Sequence, residues 1–558
     1  MNEATDQRTE VVDAEVCIAE LLKASRASAP PVSPLTESTG FLGSMGAKRP
    51  VNWLELLALA VLVAIGDVAL FRGYGYAGIA CFLALAAGLT ALVASSRPPH
   101  LTRWCIGGML VLIVARLVWC GSVLSSIVGF SLLVAWTVTL NGNCPYVIST
   151  VFHAAQSVLG GFFRIVDYCC FFGGRGPRVS GIAILGVVLP LAALVVFGGI
   201  FIFANPDLAE WVGRGFERFF KELEEWLTHV SFGEMVFCAA VFWISAGLLK
   251  PFVVWPAKDD KAEFVPSSGR ASGSPSALYG PLRNTLVVVI ILFAVYLVFE
   301  FESLWFRKFP AGFHYSGYAH RGAAWLTLAL ALSTGVLSMM FRGAVLQDPR
   351  LRVLKRLAWT WSALNLVLAV AAFHRLYIYI GFNGLTRMRI VGMFGTASVV
   401  AGLVLVIWMI ARHRSATWLV QRQMWALCVA VFIFSITPVD AIWVQYNVRR
   451  IMAGDPAPSV ELSVHDIDSE GVVFLLPLLK CENKVIREGI RALLCERWNS
   501  VEKTSREPAR QHWTAFQFID RIVADRLGAS ADKWTKFRDE ARRQDAWKAF
   551  QDYAYQWY

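Results

Sequence analysis

The chain has 558 residues, of which 56% are hydrophobic and 17% charged, too apolar a balance for a soluble multidomain protein. Its formal charge of +11 would suit a nucleic-acid binder only if a basic stripe with interleaved aromatics stood apart from the apolar runs. Instead residues 1–49 are slightly acidic, the region after Ile451 is near neutral, and the excess lies in loops between apolar runs, so no nucleic-acid partner is expected.

In chain order, residues 1–49 are polar, with Ala, Ser and Pro clustered around 25–33. They read as a disordered cytoplasmic tail. No basic segment followed by a short apolar core is present there, so a cleavable signal peptide is not expected.

Eleven nearly uncharged windows follow, at 53–70, 78–95, 104–119, 122–140, 182–204, 232–249, 285–301, 323–340, 359–373, 390–410 and 417–436. Their length suits about 30 Å of hydrocarbon, and continuous rather than alternating apolarity predicts helices, not a barrel. The expected fold is all-α. It is a polytopic transmembrane bundle of about eleven spans over 50–451, with a small helical extramembrane domain over 452–558.

Three pieces within the bundle read as non-spanning. Residues 145–180 are apolar but interrupted by His153, Arg164 and Asp167, which predicts a helix at the membrane interface. "ERFFKELEEWL" at 217–227 should lie flat on a surface. "PSSGRASGSPS" makes 255–283 a flexible cytoplasmic linker.

After Ile451 the pattern turns amphipathic. Leu475, Leu476, Leu479, Ile486, Ile490 and Leu494 recur at helical spacing, as do Trp513, Phe516, Ile519, Val523 and Leu527 up to Gly528. An aromatic-rich last helix carries Trp534, Phe537, Trp547, Phe550 and Trp557. About a hundred residues suffice for a small core.

Orientation comes from Lys and Arg in the short loops. The heavier side, with Arg97, Arg103, Arg175, Arg350, Lys355 and Arg412 among others, should be cytoplasmic. The N-terminus is then inside and, after eleven spans, the C-terminal domain is periplasmic. The eleven cysteines form no CxxC pair and no zinc-type Cys/His cluster. Cys481 and Cys495 would lie about 21 Å apart on a continuous helix.

Four stretches carry a resemblance: "GDVALFRGYGYAGIACF" (66–82), "FHYSGYAHRGAAW" (313–325), "LYIYIGFNGLTRMRI" (376–390) and "PVDAIWVQYNVRRI" (438–451), with a weaker echo in "SVHDIDSEGVVFLLPLL" (463–479). In order and spacing they resemble bacterial multi-pass membrane proteins of the domain-of-unknown-function families numbered 4153 and 4173, across roughly 50–480. The resemblance implies the fold and a bacterial inner-membrane location. It lends no reaction, cofactor or catalytic residue. Thr437 stands where the resemblance implies Asn, and the sequence past Ser500 departs from it.

In the expected topology these motifs gather at the outer ends of spans. Arg321 opens the eighth span, Thr386, Arg387 and Arg389 the tenth, and Asp440, Tyr446 and Asn447 end the eleventh, with Asn205 and Asp207 at the end of the fifth. Most such groups anchor and cap helices. Asp67 and Arg116 differ because they interrupt apolar runs. A charge there costs at least about 2.5 kcal/mol unless paired, so a mutual ion pair is expected. His320–Arg321 and His374–Arg375 stand beside no nucleophile motif, and HExxH, P-loop and GxGxxG contexts are missing. No catalytic residue, cofactor or metal set is expected.

Three functions are expected, in descending order. The first is a non-enzymatic scaffold, sensor or partner-binding protein of the cell envelope, its partners the lipid bilayer and an envelope protein met by the C-terminal domain. The second is a transporter of a small solute or proton, with Asp67, Arg116 and Asn365 as midplane groups. The third is a transferase acting on a lipid-linked substrate at the outer polar face.

Overall fold

The computed structural model describes residues 51–94, 101–173, 213–215, 217, 231–249, 279–302, 315–340, 348–412, 414, 416–505, 507 and 511–557. By internal contact the chain divides into two compact units, the larger comprising 52–165, 224–251 and 257–558. The larger unit holds the apolar bundle and the C-terminal helices, except for the end of the helix Val147–Gly173. The expected tail at 1–49, the window at 182–204, Asn205 and Asp207 lie outside the described residues. So do nearly all of 217–227 and of the linker at 255–283.

Every regular element among the described residues is helical. In order they are α1 (Trp53–Gly66), continued by a π-helical turn (Asp67–Phe71), α2 (Tyr76–Val93), α3 (Leu101–Cys120), α4 (Val123–Leu140), α5 (Val147–Gly173), α6 (Phe232–Leu249), α7 (Tyr279–Glu300), α8 (Tyr315–Met340), α9 (Leu351–Asn383), α10 (Arg387–Arg412) and α11 (Ala416–Ile436). Nine of these are long and apolar enough to cross a membrane, all but α5 and α8. Their apolar stretches, Val147–Val158 and Trp325–Ser338, are shorter. Nine of the eleven expected windows therefore fall on such helices, and the window at 323–340 falls on α8. The window at 359–373 is the middle of α9, which runs for 33 residues.

Val288, Leu292 and Val295 of α7 stay exposed, as apolar side chains do where the solvent is hydrocarbon and only backbone polarity must be hidden. α1 to α4 and α6 pack on one another, α7 to α10 form a second set, and α11 lies against α10 as well as α3 and α4. Ser125 Oγ of α4 donates to the carbonyl of Ser435 on α11 at 3.2 Å.

α11 stops at Ile436 because Pro438 has no N–H to continue the ladder. A separate helix, α12 (Val439–Met452), begins after it. Then come α13 (Ser459–Val464), α14 (Ser469–Val472), a 3₁₀ helix (Val473–Lys480) containing Pro477, α15 (Lys484–Ser505), a 3₁₀ turn (Trp513–Ala515), α16 (Phe518–Gly528), a 3₁₀ helix (Ala531–Phe537) and α17 (Glu540–Tyr555). These elements share an apolar core that includes Leu475, Ile490, Leu494, Trp534 and Phe550. α12 gives that core Val439, Trp443, Val444 and Val448. This corrects the sequence expectation: Asp440, Tyr446 and Asn447 do not end a span. They sit on a helix that belongs with the C-terminal core, ahead of the expected change at 452.

Candidate functional site

Turns at one end of the apolar bundle meet the C-terminal elements. Between α1 and α2 the N–H of Tyr74 donates to Thr514 Oγ1 at 3.0 Å. Between α3 and α4 the N–H of Gly121 donates to Gln517 Oε1 at 3.1 Å. Between α9 and α10 the side chain of Asn447 accepts from the N–H of Leu385 at 2.7 Å and donates to its carbonyl at 2.8 Å. Asn383 adds a bond to the carbonyl of Trp557 at 2.9 Å.

Two glycines explain the motif spelling. A Cβ on Gly75 would come within 2.8 Å of the Ala515 Cα, so the "GYGYAG" turn leaves room for the 513–515 turn. Gly384 has φ of +100° and a Cβ there would lie 2.5 Å from Asn447 Oδ1. Both left-handed backbone and space demand glycine.

Charges hold the same end together. Arg116 of α3 grips Glu470 of α14 with both terminal nitrogens, Nη2 to Oε2 at 2.8 Å, and Trp119 Nε1 donates to the same carboxylate at 2.8 Å. The side chains of Arg116 and Glu470 are only 13% and 5% exposed. Arg387 of α10 forks onto Asp440 of α12, at 2.9 and 2.5 Å. Asp440 also accepts from Trp443 Nε1 at 3.0 Å and from the N–H of Asp468 at 2.8 Å.

Arg389 donates to Glu461 Oε1 at 2.7 Å and to the carbonyl of Gly384, its guanidinium 3.8 Å from the centre of the Tyr379 ring. Thr386 is buried and its hydroxyl accepts from the N–H of Arg389 at 3.3 Å, a cap on the first turn of α10. Such charge-assisted forks are the strongest side-chain hydrogen bonds and fix geometry as well as energy.

The expected pair between Asp67 and Arg116 does not form. Asp67 pairs with Arg72 at 3.2 Å, and Arg72 also reaches Glu234 of α6 at 3.0 Å. Asp67 and Arg116 have different partners because one turns along its own π-helical turn and the other faces α14. Tyr446 stays outside the network. Its ring lies 5.9 Å from the guanidinium of Arg450, which is bound to the carbonyls of Ile380 and Gly381 at 2.7 and 2.6 Å. Arg321 lies on α8, outside the residues whose side chains are described.

Sequence reading missed the acids that answer these arginines. Glu461 and Glu470 lie in or just before the "SVHDIDSEG" echo, and no local signal tied them to α10 or α3. Two buried pairs inside apolar helices were legible but passed over. Glu55 near the start of α1 accepts from Arg164 at 3.1 Å, and Glu300 at the end of α7 accepts from Arg375 Nε at 2.6 Å and from Tyr296 at 2.9 Å.

Outside the apolar helices, burial and then the Asp440 carboxylate raise Asp468 above the ordinary carboxylate range, against Arg387. Solvent at its 69% exposed side chain screens this effect. Among the described residues no three His, Cys, Asp or Glu side chains gather as a metal set. Chemically the arrangement is a clamp: each carboxylate of the end network answers a guanidinium.

These features define an all-helical bundle of membrane character with a further helical core clamped on one end. Residues 80–466 match the family described as a domain of unknown function (DUF4153), and the chain belongs to that family. No curated protein and no solved structure matches the chain. The matched segment includes Arg116, Arg387, Arg389, Asp440, Asn447 and Glu461, and ends four residues before Glu470.

Proposed function

We propose that the protein is a multi-pass protein of the bacterial inner membrane that works without catalysing a reaction. The apolar helices anchor it, and the C-terminal helices, on the periplasmic side, bind an envelope partner or register the state of the envelope. The observation that carries this reading is the Arg116–Glu470 pair with its neighbours Arg387–Asp440 and Arg389–Glu461. The polar groups at the motif-bearing end are engaged in tying two bodies of structure together, which is what transmission of a binding event needs. The burial of Arg116 and Arg389 in their pairs argues against a transferase, whose arginines must be open to a head group.

A second reading, transport of a small solute or proton, is favoured by Ser362 Oγ and Asn365 Oδ1. Both are buried in α9 and neither has a protein partner among the described residues.

Photo-crosslinkers placed at exposed positions of α15 and α17 in living cells test the first reading. A discrete adduct with one envelope protein is expected. No discrete adduct from any position, together with solute or proton flux in proteoliposomes that Asn365→Leu abolishes, would replace it with the second.

A further inference from the structure

The C-terminal core contains a cavity of about 540 Å³, a size typical of sites for small molecules and single side chains. It opens between the 463–468 segment, α15 and α17. Leu462, Val472, Leu475 and Leu494 back it from within the core, and the half-buried Leu493 supplies accessible apolar surface. Trp547 of α17 forms one wall.

Its rim is unbalanced in charge. Asp466, Asp468 and Glu496 line it with one guanidinium, Arg497, and with His465, and Asp468 is paired with Arg387 at 3.3 Å, which leaves Asp466 and Glu496 in surplus. The basic members are already committed. Arg497 donates to the carbonyl of Ile467, and His465 Nε2 lies 3.1 Å from Glu461 Oε2. Asp466 and Glu496 are exposed and carry no ion pair among the described residues. An apolar side made by Leu493 and Trp547, with surplus carboxylates at the mouth, complements one chemistry: a primary ammonium or guanidinium carried on an aliphatic stem. The stem covers Leu493 and Trp547, as Lys and Arg stems cover apolar protein surface. The charge meets the rim acids beside Trp547.

We propose that this cavity binds such a cation, as the basic side chain of a protein partner or as a free aliphatic amine. The proposal rests on the reading of the C-terminal helices as the partner-binding part, and it names what they hold.

Calorimetry on the full chain in nanodiscs tests it with three probes: 1,5-diaminopentane, a capped tripeptide with a central lysine, and glutarate as the anionic control. Both cations should bind and glutarate should not. Kd should rise with salt, as for any partly exposed charge contact. Asp466→Asn combined with Glu496→Gln should weaken both cations at least tenfold with an unchanged melting temperature, because those side chains are exposed. Trp547→Leu should weaken them severalfold. Tighter peptide binding assigns the site to a protein partner, tighter diamine binding to a free amine. No heat from either cation at millimolar concentration, or equal binding by the double variant, overturns the proposal. If instead the diamine binds but the in-cell crosslinks give no discrete adduct, the partner reading fails while the cavity assignment stands.

Discussion

The Arg116–Glu470 pair shows what a buried charge requires in a setting that water reaches poorly. Removing one member leaves the other uncompensated, a loss of about 3–5 kcal/mol, whereas replacing both by apolar groups of like volume is often neutral or better. Glu470→Gln and Arg116→Gln should each lower the melting temperature of the purified protein sharply. Arg116→Met with Glu470→Leu should recover most of the loss. A double variant as unstable as the sum of the singles would show that the pair is not a unit.

A second test at this scale uses pH. Burial pushes Glu488 up, but the hydrogen bond and charge of Lys536, with Arg491 and Arg487, outweigh it and hold its carboxyl below the ordinary range. The Lys536 contact is 2.5 Å and half exposed, which limits its worth to about 1 kcal/mol or less. A depressed acid stabilises the fold above its ordinary pKa, and that share is lost as pH falls through the folded value. Glu488→Gln should therefore lower the melting temperature slightly at pH 8, where the full share is present, and converge on the parent at low pH, which flattens the acid limb. Residue-level reading found that Asp67 and Arg116 needed partners and named the wrong ones. Depth along a helix is legible in sequence, but the direction in which a side chain leaves the helix toward a distant segment is not.

At the scale of elements, apolar length was the strong signal, since crossing hydrocarbon demands it, and nine of the eleven windows fall on helices long enough. Boundaries were weaker. The expected helical continuity from Leu475 into Ile486 breaks because Pro477 sits in a 3₁₀ helix that ends at Lys480. The eleventh window reads as running on to Asn447 because α12 is apolar on the face it buries, and only Pro438 marks the break. The α9–α10 turn is where element geometry is tested most directly. Gly384→Ala forces a side chain into left-handed backbone, costing about 1–3 kcal/mol, and drives its Cβ into Asn447. Asn447→Ala removes both bonds to Leu385 and leaves that buried backbone N–H without its acceptor. Each variant should unfold earlier and expose the 384–386 turn to protease before the rest of the chain. If both melt like the parent, the turn is not what joins α10 to the C-terminal core.

Over the larger unit as a whole, the clamp fixes sidedness without a count of spans. The α1–α2, α3–α4 and α9–α10 turns all contact C-terminal elements, so they share one side of the bilayer with those elements whatever passes through 174–230. α4 is 18 residues long, about 27 Å, long enough to cross, so the loop after it is expected on the other side. Cys144 lies exposed in that loop, and Ala529 is exposed just after α16. In the proposed orientation, drawn from the surplus of Lys and Arg flanking the opposite ends of the helices, Cys144 is expected in the cytoplasm. A membrane-impermeant maleimide applied to intact spheroplasts of an Ala529→Cys variant, read by peptide mass spectrometry, should modify residue 529 and spare Cys144, which reacts only after permeabilisation. The reverse pattern would invert the assignment of sides while leaving the clamp intact. Labelling of both residues from one side is the outcome the clamp forbids, because the α3–α4 turn would then have to leave Gln517 and cross the bilayer.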